Sequence, residues 1–325
     1  MDPVIEWLLE CDEPWTRYRV LVDLLRRPED DAGVGAARSE MVQDDRVRAL
    51  IAAASTWGQA PVRRHNDAGH ALAALTVLAD FGLRAADRDM APIVEGVMAH
   101  QSAEGAFRSV LNIAPAYGGT GQDQWAWMLC DAPTLLYSLI AMGMGEHPQV
   151  KRAVEHLSRQ ATEVGWRCAC APELGKFRGP GRKDDPCPIA TLLALKALAQ
   201  MPALVDGPAA RSGTAMIFWH WEHRAERRFY LFGIGTDFRR LKYPFVWYDI
   251  LHVADVLSRL PHARGDPRLQ EMVGAIVTLA DGDGRHTAGS MYQSWTGWSF
   301  ADKKNPSPWL TLLALRAQAR LRDTQ

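Results

Sequence analysis

His70-Ala-Leu-Ala-Ala-Leu-Thr-Val-Leu-Ala-Asp-Phe-Gly82 is the stretch whose reading sets the architecture. Leu72, Leu75, Leu78 and Ala79 recur at helical spacing, and a small residue, Gly82, ends the run. The pattern returns along the chain: Leu135, Leu136, Leu139 and Ile140 before Gly143, Leu192, Leu195 and Leu198 before Pro202, and Ile250, Val253, Val256 and Leu257 before Pro261. With Pro28 ahead and Arg320 behind by register, the terminators stand 54, 61, 59, 59 and 59 residues apart. A fixed period of this kind marks a repeat architecture. A more polar helix follows each turn, as in Pro148 to Arg159 and Pro267 to Leu279, so one repeat is a helix pair. Six pairs are enough to close a ring. The expectation is an all-α chain with the runs at 70–81, 131–142, 188–201 and 249–260 on its inner layer, one domain over residues 1–325 with a weaker, divergent first repeat at 1–60.

Composition agrees with an enzyme-sized helical protein. The chain has 325 residues, 47% hydrophobic and 23% charged, with a net charge of −1. Bulk electrostatics therefore suggest neither a nucleic-acid nor a membrane-surface partner. No apolar run is long enough for a transmembrane segment, and Met1-Asp2-Pro3 lacks the basic start of a signal peptide. Five cysteines, an odd number, do not read as a disulfide framework, and a cytoplasmic location is expected. Two irregular stretches, 167–183 and 227–243, are rich in Gly, Pro, Arg and aromatic residues and read as ordered loops at one end of the ring.

Twelve residues before each terminator lie His70, Asp131, Pro188, Asp249 and Pro308, and Asp185 with Cys187 just precedes the third. If the core helices line a ring, these N-terminal ends converge on one opening, where helix dipoles favour anions. Asp131, Asp185 and Asp249 are candidate catalytic acids on that reading. The alternative is that each merely caps its helix, a frequent use of Asp.

A second marker recurs between repeats: Gln101…Gly105-Ala-Phe107, Gln160…Gly165-Trp166, and a degenerate Ala280-Asp-Gly282-Asp-Gly284. It resembles the Gln…Gly…Trp motif of the terpenoid-cyclase and protein-prenyltransferase superfamily, over roughly residues 60 to 322. The resemblance implies an α/α toroid, with these residues bracing outer helices. The run Gly175-Lys-Phe-Arg178-Gly-Pro-Gly-Arg182-Lys183-Asp184-Asp185-Pro-Cys187 is similar to one in prenyltransferase β subunits. There the Asp and Cys, with a later His, bind zinc and the basic residues hold a prenyl diphosphate. Carried over, the resemblance implies zinc on Asp185, Cys187 and His252, with Asp249 as an alternative third ligand, and an isoprenoid diphosphate on Arg178, Arg182 and Lys183. The sequence departs from that pattern with Pro188 in place of a phosphate-contacting Tyr, and it carries no sign of the α subunit with which such enzymes work.

Zinc with three protein ligands and an open position can activate a thiolate or water, and two adjacent cations suit a diphosphate. The other chemistry of the superfamily is cyclisation. Its Asp-x-Asp-Asp motif is absent, with Lys183-Asp184-Asp185 a partial echo, but cation-stabilising aromatics are abundant, Trp247 and Tyr248 among them. Those aromatics equally suit the filling of a wide core. Cys168 and Cys170 read as free thiols, His220 and His223 as packing or surface on an outer helix, and Arg224, Arg227, Arg228, Arg239, Arg240 and Lys242 as a solvated basic loop. Two functions follow: a zinc-dependent, prenyltransferase- or terpene-cyclase-like enzyme for a hydrophobic, isoprenoid-type anion, or a non-catalytic toroid holding a hydrophobic ligand or a partner.

Overall fold

The computed structural model describes residues 2–64, 66–177, 184–229 and 232–323. Among these the chain is largely helical, at 52%, and the only strands are a short antiparallel pair, Ser109–Leu111 with Gln124–Ala126. In chain order the helices are α1 (Pro3–Glu10), α2 (Pro14–Arg19), α3 (Ala32–Gln43), α4 (Asp45–Ala54), α5 (Ala71–Phe81), α6 (Ala91–Ala99) and α7 (Ala132–Leu139). They continue with α8 (Pro148–Arg159), α9 (Pro188–Leu198), α10 (Pro208–Glu222), α11 (Ile250–Leu257), α12 (Pro261–Arg264), α13 (Pro267–Val277) and α14 (Pro308–Arg322). No helix of the described residues is long and apolar enough to cross a membrane.

Two kinds of helix alternate, and burial separates them. Every residue of α9 and α11 is buried, as is all of α5 from Leu72 onward. The intervening helices each bury a stripe, and α10 a wider face that also takes in Met216, Phe218, His220 and Trp221. The stripes are Met90, Ile93, Val94 and Val97, then Val150, Ala153, Val154 and Leu157, then Ala210, Gly213, Thr214 and Ile217, then Leu269, Met272, Val273 and Ile276. Each has the i, i+3, i+4, i+7 spacing of one helix face, and successive stripes begin 60, 60 and 59 residues apart. The more deeply buried helices pack in sequence: α2 on α5, α5 on α7, α7 on α9, α9 on α11, α11 on α14, and α14 back on α2.

The terminators do their expected work at Gly82 and Gly143, whose φ values of +105° and +93° are left-handed. Arg320 does not end a helix, because α14 continues to Arg322. Its guanidinium bonds instead to the Asp255 carboxylate and carbonyl (3.1 and 3.2 Å), so the side chain is used as a cation and not as a stop.

The recurring Gln…Gly…aromatic marker ties the loops to the helices. Gln101 Nε2 donates to the carbonyls of Gly105 and Gln149, each at 2.7 Å, the latter inside α8. Trp166 is fully buried, its Nε1 donating to the Leu157 carbonyl at 2.8 Å. Its backbone N–H donates to Thr191 Oγ1 at 3.0 Å, and its carbonyl accepts from Cys187 N at 2.7 Å. The same bonds recur 120 residues later, where His286 N donates to Thr311 Oγ1 at 2.8 Å and Ser307 N donates to the His286 carbonyl at 2.8 Å. Gly213 on α10 allows this packing, since a Cβ there would stand 2.8 Å from the Trp166 ring.

Candidate functional site

The N-terminal ends of the buried helices carry polar groups, and each is used differently. His70 caps α5. Its Nδ1 accepts from Leu72 N at 3.1 Å while Nε2–H reaches the Ala60 carbonyl at 3.1 Å, which fixes the tautomer. Asp249 caps α11 through Oδ1, which accepts from His252 N at 3.0 Å; its Oδ2 is buried without a partner among the described residues. Burial pushes this carboxyl up to about 7, against the opposing charge of Lys242. Pro188 and Pro308 are simply the first residues of α9 and α14.

Asp131 occupies the cap position of α7 without capping it. Its carboxylate Oδ2 meets the Cys130 thiol at 3.6 Å, and the residue is 3% exposed. Burial pushes its pKa up to about 7, a rise that the thiol only partly offsets. Asp131 borders a cavity of about 30 Å³ walled by His70 and Thr76 of the first core run, Thr134 of α7, Leu193 of α9 and Phe245. That volume suits a water or two, or the end of a chain.

Asp185 is not a cap either. It pairs with Arg227 at 2.5 Å on the wall of an open groove of about 730 Å³, which Val164, Met216, Trp219 and Phe229 make apolar. Cys187, two residues on, is the cap residue of α9, and its backbone N–H donates to the Trp166 carbonyl at 2.7 Å. His252 donates from Nδ1 to the Trp247 carbonyl at 2.8 Å and lies flat on Phe245, 4.6 Å between rings. Burial, then the nearby Lys196 charge, lowers it to about 3, so it is a neutral imidazole.

Among the described residues no three His, Cys, Asp or Glu side chains form a metal-sized group. Asp185 pairs with the Arg227 guanidinium, and His252 stacks on Phe245. Arg178, Arg182 and Lys183, the residues expected to hold an anion, lie outside the described residues.

The aromatics expected to face a substrate are packed. Tyr248 is buried with its hydroxyl 3.1 Å from His220 Nδ1, and Trp247 leans on Phe232 at 5.1 Å. His220 is likewise buried, and burial lowers it to about 4, whereas His223 is half-buried and stacked on Trp219. The basic loop is not wholly solvated: Lys242 is only 5% exposed, and Arg227 is committed to Asp185.

The other end of the core helices holds what the periodicity does not reveal, a buried ionic network. Lys196 of α9 meets Asp80 of α5 at 3.1 Å, and Asp80 also accepts from Tyr137 (2.5 Å) and Tyr243 (2.9 Å). Asp255 of α11 meets Arg259, Arg316 and Arg320 at 2.9, 2.8 and 3.1 Å, and Arg316 reaches on to Asp23 at 2.9 Å. The available signal was a charge inside an otherwise apolar helix, as at Lys196 among leucines.

No family model matches the chain, and no curated protein does. Among solved structures it is similar to a protein from Actinoplanes, at 15% identity over 96% of this chain and 90% of that one, with a TM-score of 0.42.

Proposed function

We propose that this chain is an α/α toroid and an enzyme that protonates a hydrophobic, isoprenoid-type substrate, with Asp131 as the proton donor. The cyclic order of core-helix packing supports the toroid, with α2, α5, α7, α9, α11 and α14 as its inner wall. One observation carries the chemistry: a buried carboxyl on a cavity wall, its described partner a thiol, poised to be a neutral acid near pH 7. A carboxylic acid kept protonated at working pH can donate to an alkene, as a solvated Asp cannot. Phe245 on the same wall supplies a ring face for the cation so formed. Arg178, Arg182 and Lys183 supply, by sequence alone, charge for an anionic head group.

The test is incubation with squalene and with prenyl diphosphates in deuterated buffer, with products analysed by mass spectrometry. A cyclised isomer carrying deuterium is expected, formed less rapidly as pH rises through about 7 because the donor loses its proton. Asp131→Asn should abolish it while the fold persists. Folded protein that binds these compounds and turns none over would leave the ligand-binding toroid as the function.

A further inference from the structure

Two solvent-facing positions depart from the repeat side by side. Trp219 of α10 is 39% exposed, and Val164, in the turn that follows α8, is 44% exposed. Sixty residues earlier, at the same register, stand Arg159 and Glu104. Arg159 lies 3.9 Å from Glu155 along α8, and the α10 residue in register with Glu155 is Ala215. A helix face and a turn that are charged in one repeat are therefore apolar in the next. The turn is fixed in place. Thr162 N donates to the Gly165 carbonyl at 2.8 Å, Gly165 takes a left-handed φ of +81°, and the buried Trp166 follows it, so Glu163 and Val164 are held at the tip.

Both residues line the open groove of about 730 Å³, a size within the range of small-molecule sites, about 300–1,000 Å³. A contiguous exposed apolar surface with a polar rim marks a binding site, where scattered single residues do not. Met216 stands one turn before Trp219, and Phe229 lies 5.6 Å from the Trp219 ring. One face of that ring is taken by His223, stacked at 4.4 Å, and Phe229 already holds a cation, the Arg227 guanidinium 5.3 Å from its centroid. Four carboxylates share the lining: Glu163, Asp184, Asp185 and Glu226. Asp185 pairs with Arg227, and Asp184 with Arg167 at 3.3 Å. Glu163 and Glu226 are exposed and make no ion pair among the described residues, so the groove joins an apolar wall to an excess of negative charge.

We propose that this groove binds a small organic cation, a quaternary or protonated amine carried on an alkyl or aryl body. The body packs against Val164, Met216 and the face of Trp219 turned away from His223, while the ammonium is drawn to the ring face and to the Glu163 and Glu226 carboxylates. An anion of the same shape would meet four carboxylates, and a neutral molecule would gain the apolar contact alone. No residue lines both this groove and the cavity beside Asp131, so the two sites are separable by experiment.

Calorimetric titration of the full-length protein with octyltrimethylammonium, octyl sulfate and octyl glucoside supplies the test, since the three share one alkyl body; all are kept below micelle formation. The ammonium is expected to bind stoichiometrically, with the sulfate and the glucoside weaker by about tenfold or more. Trp219→Ala should weaken the ammonium about tenfold. The double variant Glu163→Gln, Glu226→Gln should weaken the ammonium and leave the glucoside where it was, a difference that a damaged fold would not produce. Equal affinity for the three probes, tighter binding of the sulfate, ammonium affinity unchanged in either variant, or no binding of the ammonium would overturn the proposal. So would a concentration-dependent dimer that Trp219→Ala abolishes, because the occupant of the groove would then be a second copy of the chain.

Discussion

Asp131 and Asp255 are the same residue type, both hidden from water, at opposite ends of two core helices that pack on either side of α9, and their proton affinities are shifted in opposite directions. Asp255 lies in the last turn of α11, where the helix dipole disfavours an anion, and three guanidinium groups surround it; these hold it well below the usual carboxylate range despite burial. Asp131 stands at the start of α7, where the dipole would help, yet its side chain takes no helix N–H and meets a thiol. Desolvation then prevails, and the group titrates near neutrality. Burial alone does not decide the charge of a carboxyl; the donors around it do. At the Asp255 end both carboxylate oxygens accept from guanidinium groups, those of Arg316 and Arg320 linking α11 to α14, whereas the Asp131 carboxyl meets the Cys130 thiol.

The comparison can be broken first at its ionic end. Replacing Arg316 by Met strips one cation from both Asp23 and Asp255 and leaves buried anions short of charge, which should cost about 3–5 kcal/mol in urea unfolding. A loss below 1 kcal/mol would mean that Arg259, Arg320 and Arg19 suffice. The acid limb has a definite sign as well. Asp23 is lowered to about 2, so its contribution is present above pH 4 and is lost as pH falls through about 2.

At the other end the sign reverses. Asp131 binds its proton more tightly folded than unfolded, so the folded state loses stability as pH rises from about 4 to about 7 and does not recover it above. Asp131→Asn removes that loss and should be the more stable protein at pH 8, by at most about 4 kcal/mol at about 1.4 kcal/mol per pKa unit. Denaturant midpoints at pH 4 and pH 8 measure it; a variant weaker than the parent at pH 8 would show Asp131 ionised and well satisfied. The smallest effect is an uncharged control. Thr191→Val and Thr311→Val each leave a buried N–H, of Trp166 or His286, without its acceptor, at about 1–3 kcal/mol. The two should match, since the bonds are equivalent, and neither should depend on pH in the way that Asp131 does.

The helices and their period were legible because core burial writes itself as leucine spacing: the predicted runs at 70–81 and 249–260 match Ala71–Phe81 and Ile250–Leu257 closely. The recurring Gln…Gly…Trp marker also pointed to real contacts, those of Gln101 and Trp166. Side-chain use was much less legible. Asp131, Asp185 and Asp249 occupy similar register positions, yet one meets a thiol, one an arginine 42 residues away, and one its own helix. Spacing reports which backbone position a residue takes, whereas its partner is set by loops that follow no period, such as the one carrying Arg227. The Lys196–Asp80 contact spans 116 residues, and its only trace in the sequence is the oddity of a lysine in an apolar run.

The link from Arg316 to Asp23 joins residues 293 apart, and Trp295 donates to the Ala68 carbonyl across 227. During synthesis the partners made early must therefore wait for nearly the whole chain. Until residues 308–322 emerge, Asp255 lacks two of its three guanidinium groups, and the apolar faces of α2 and α11 that α14 covers stay open to water. Contacts of such long separation form late, because the loop entropy must be overcome before they contribute anything. A nascent chain paused before α14 is accordingly the form of this protein most exposed to aggregation.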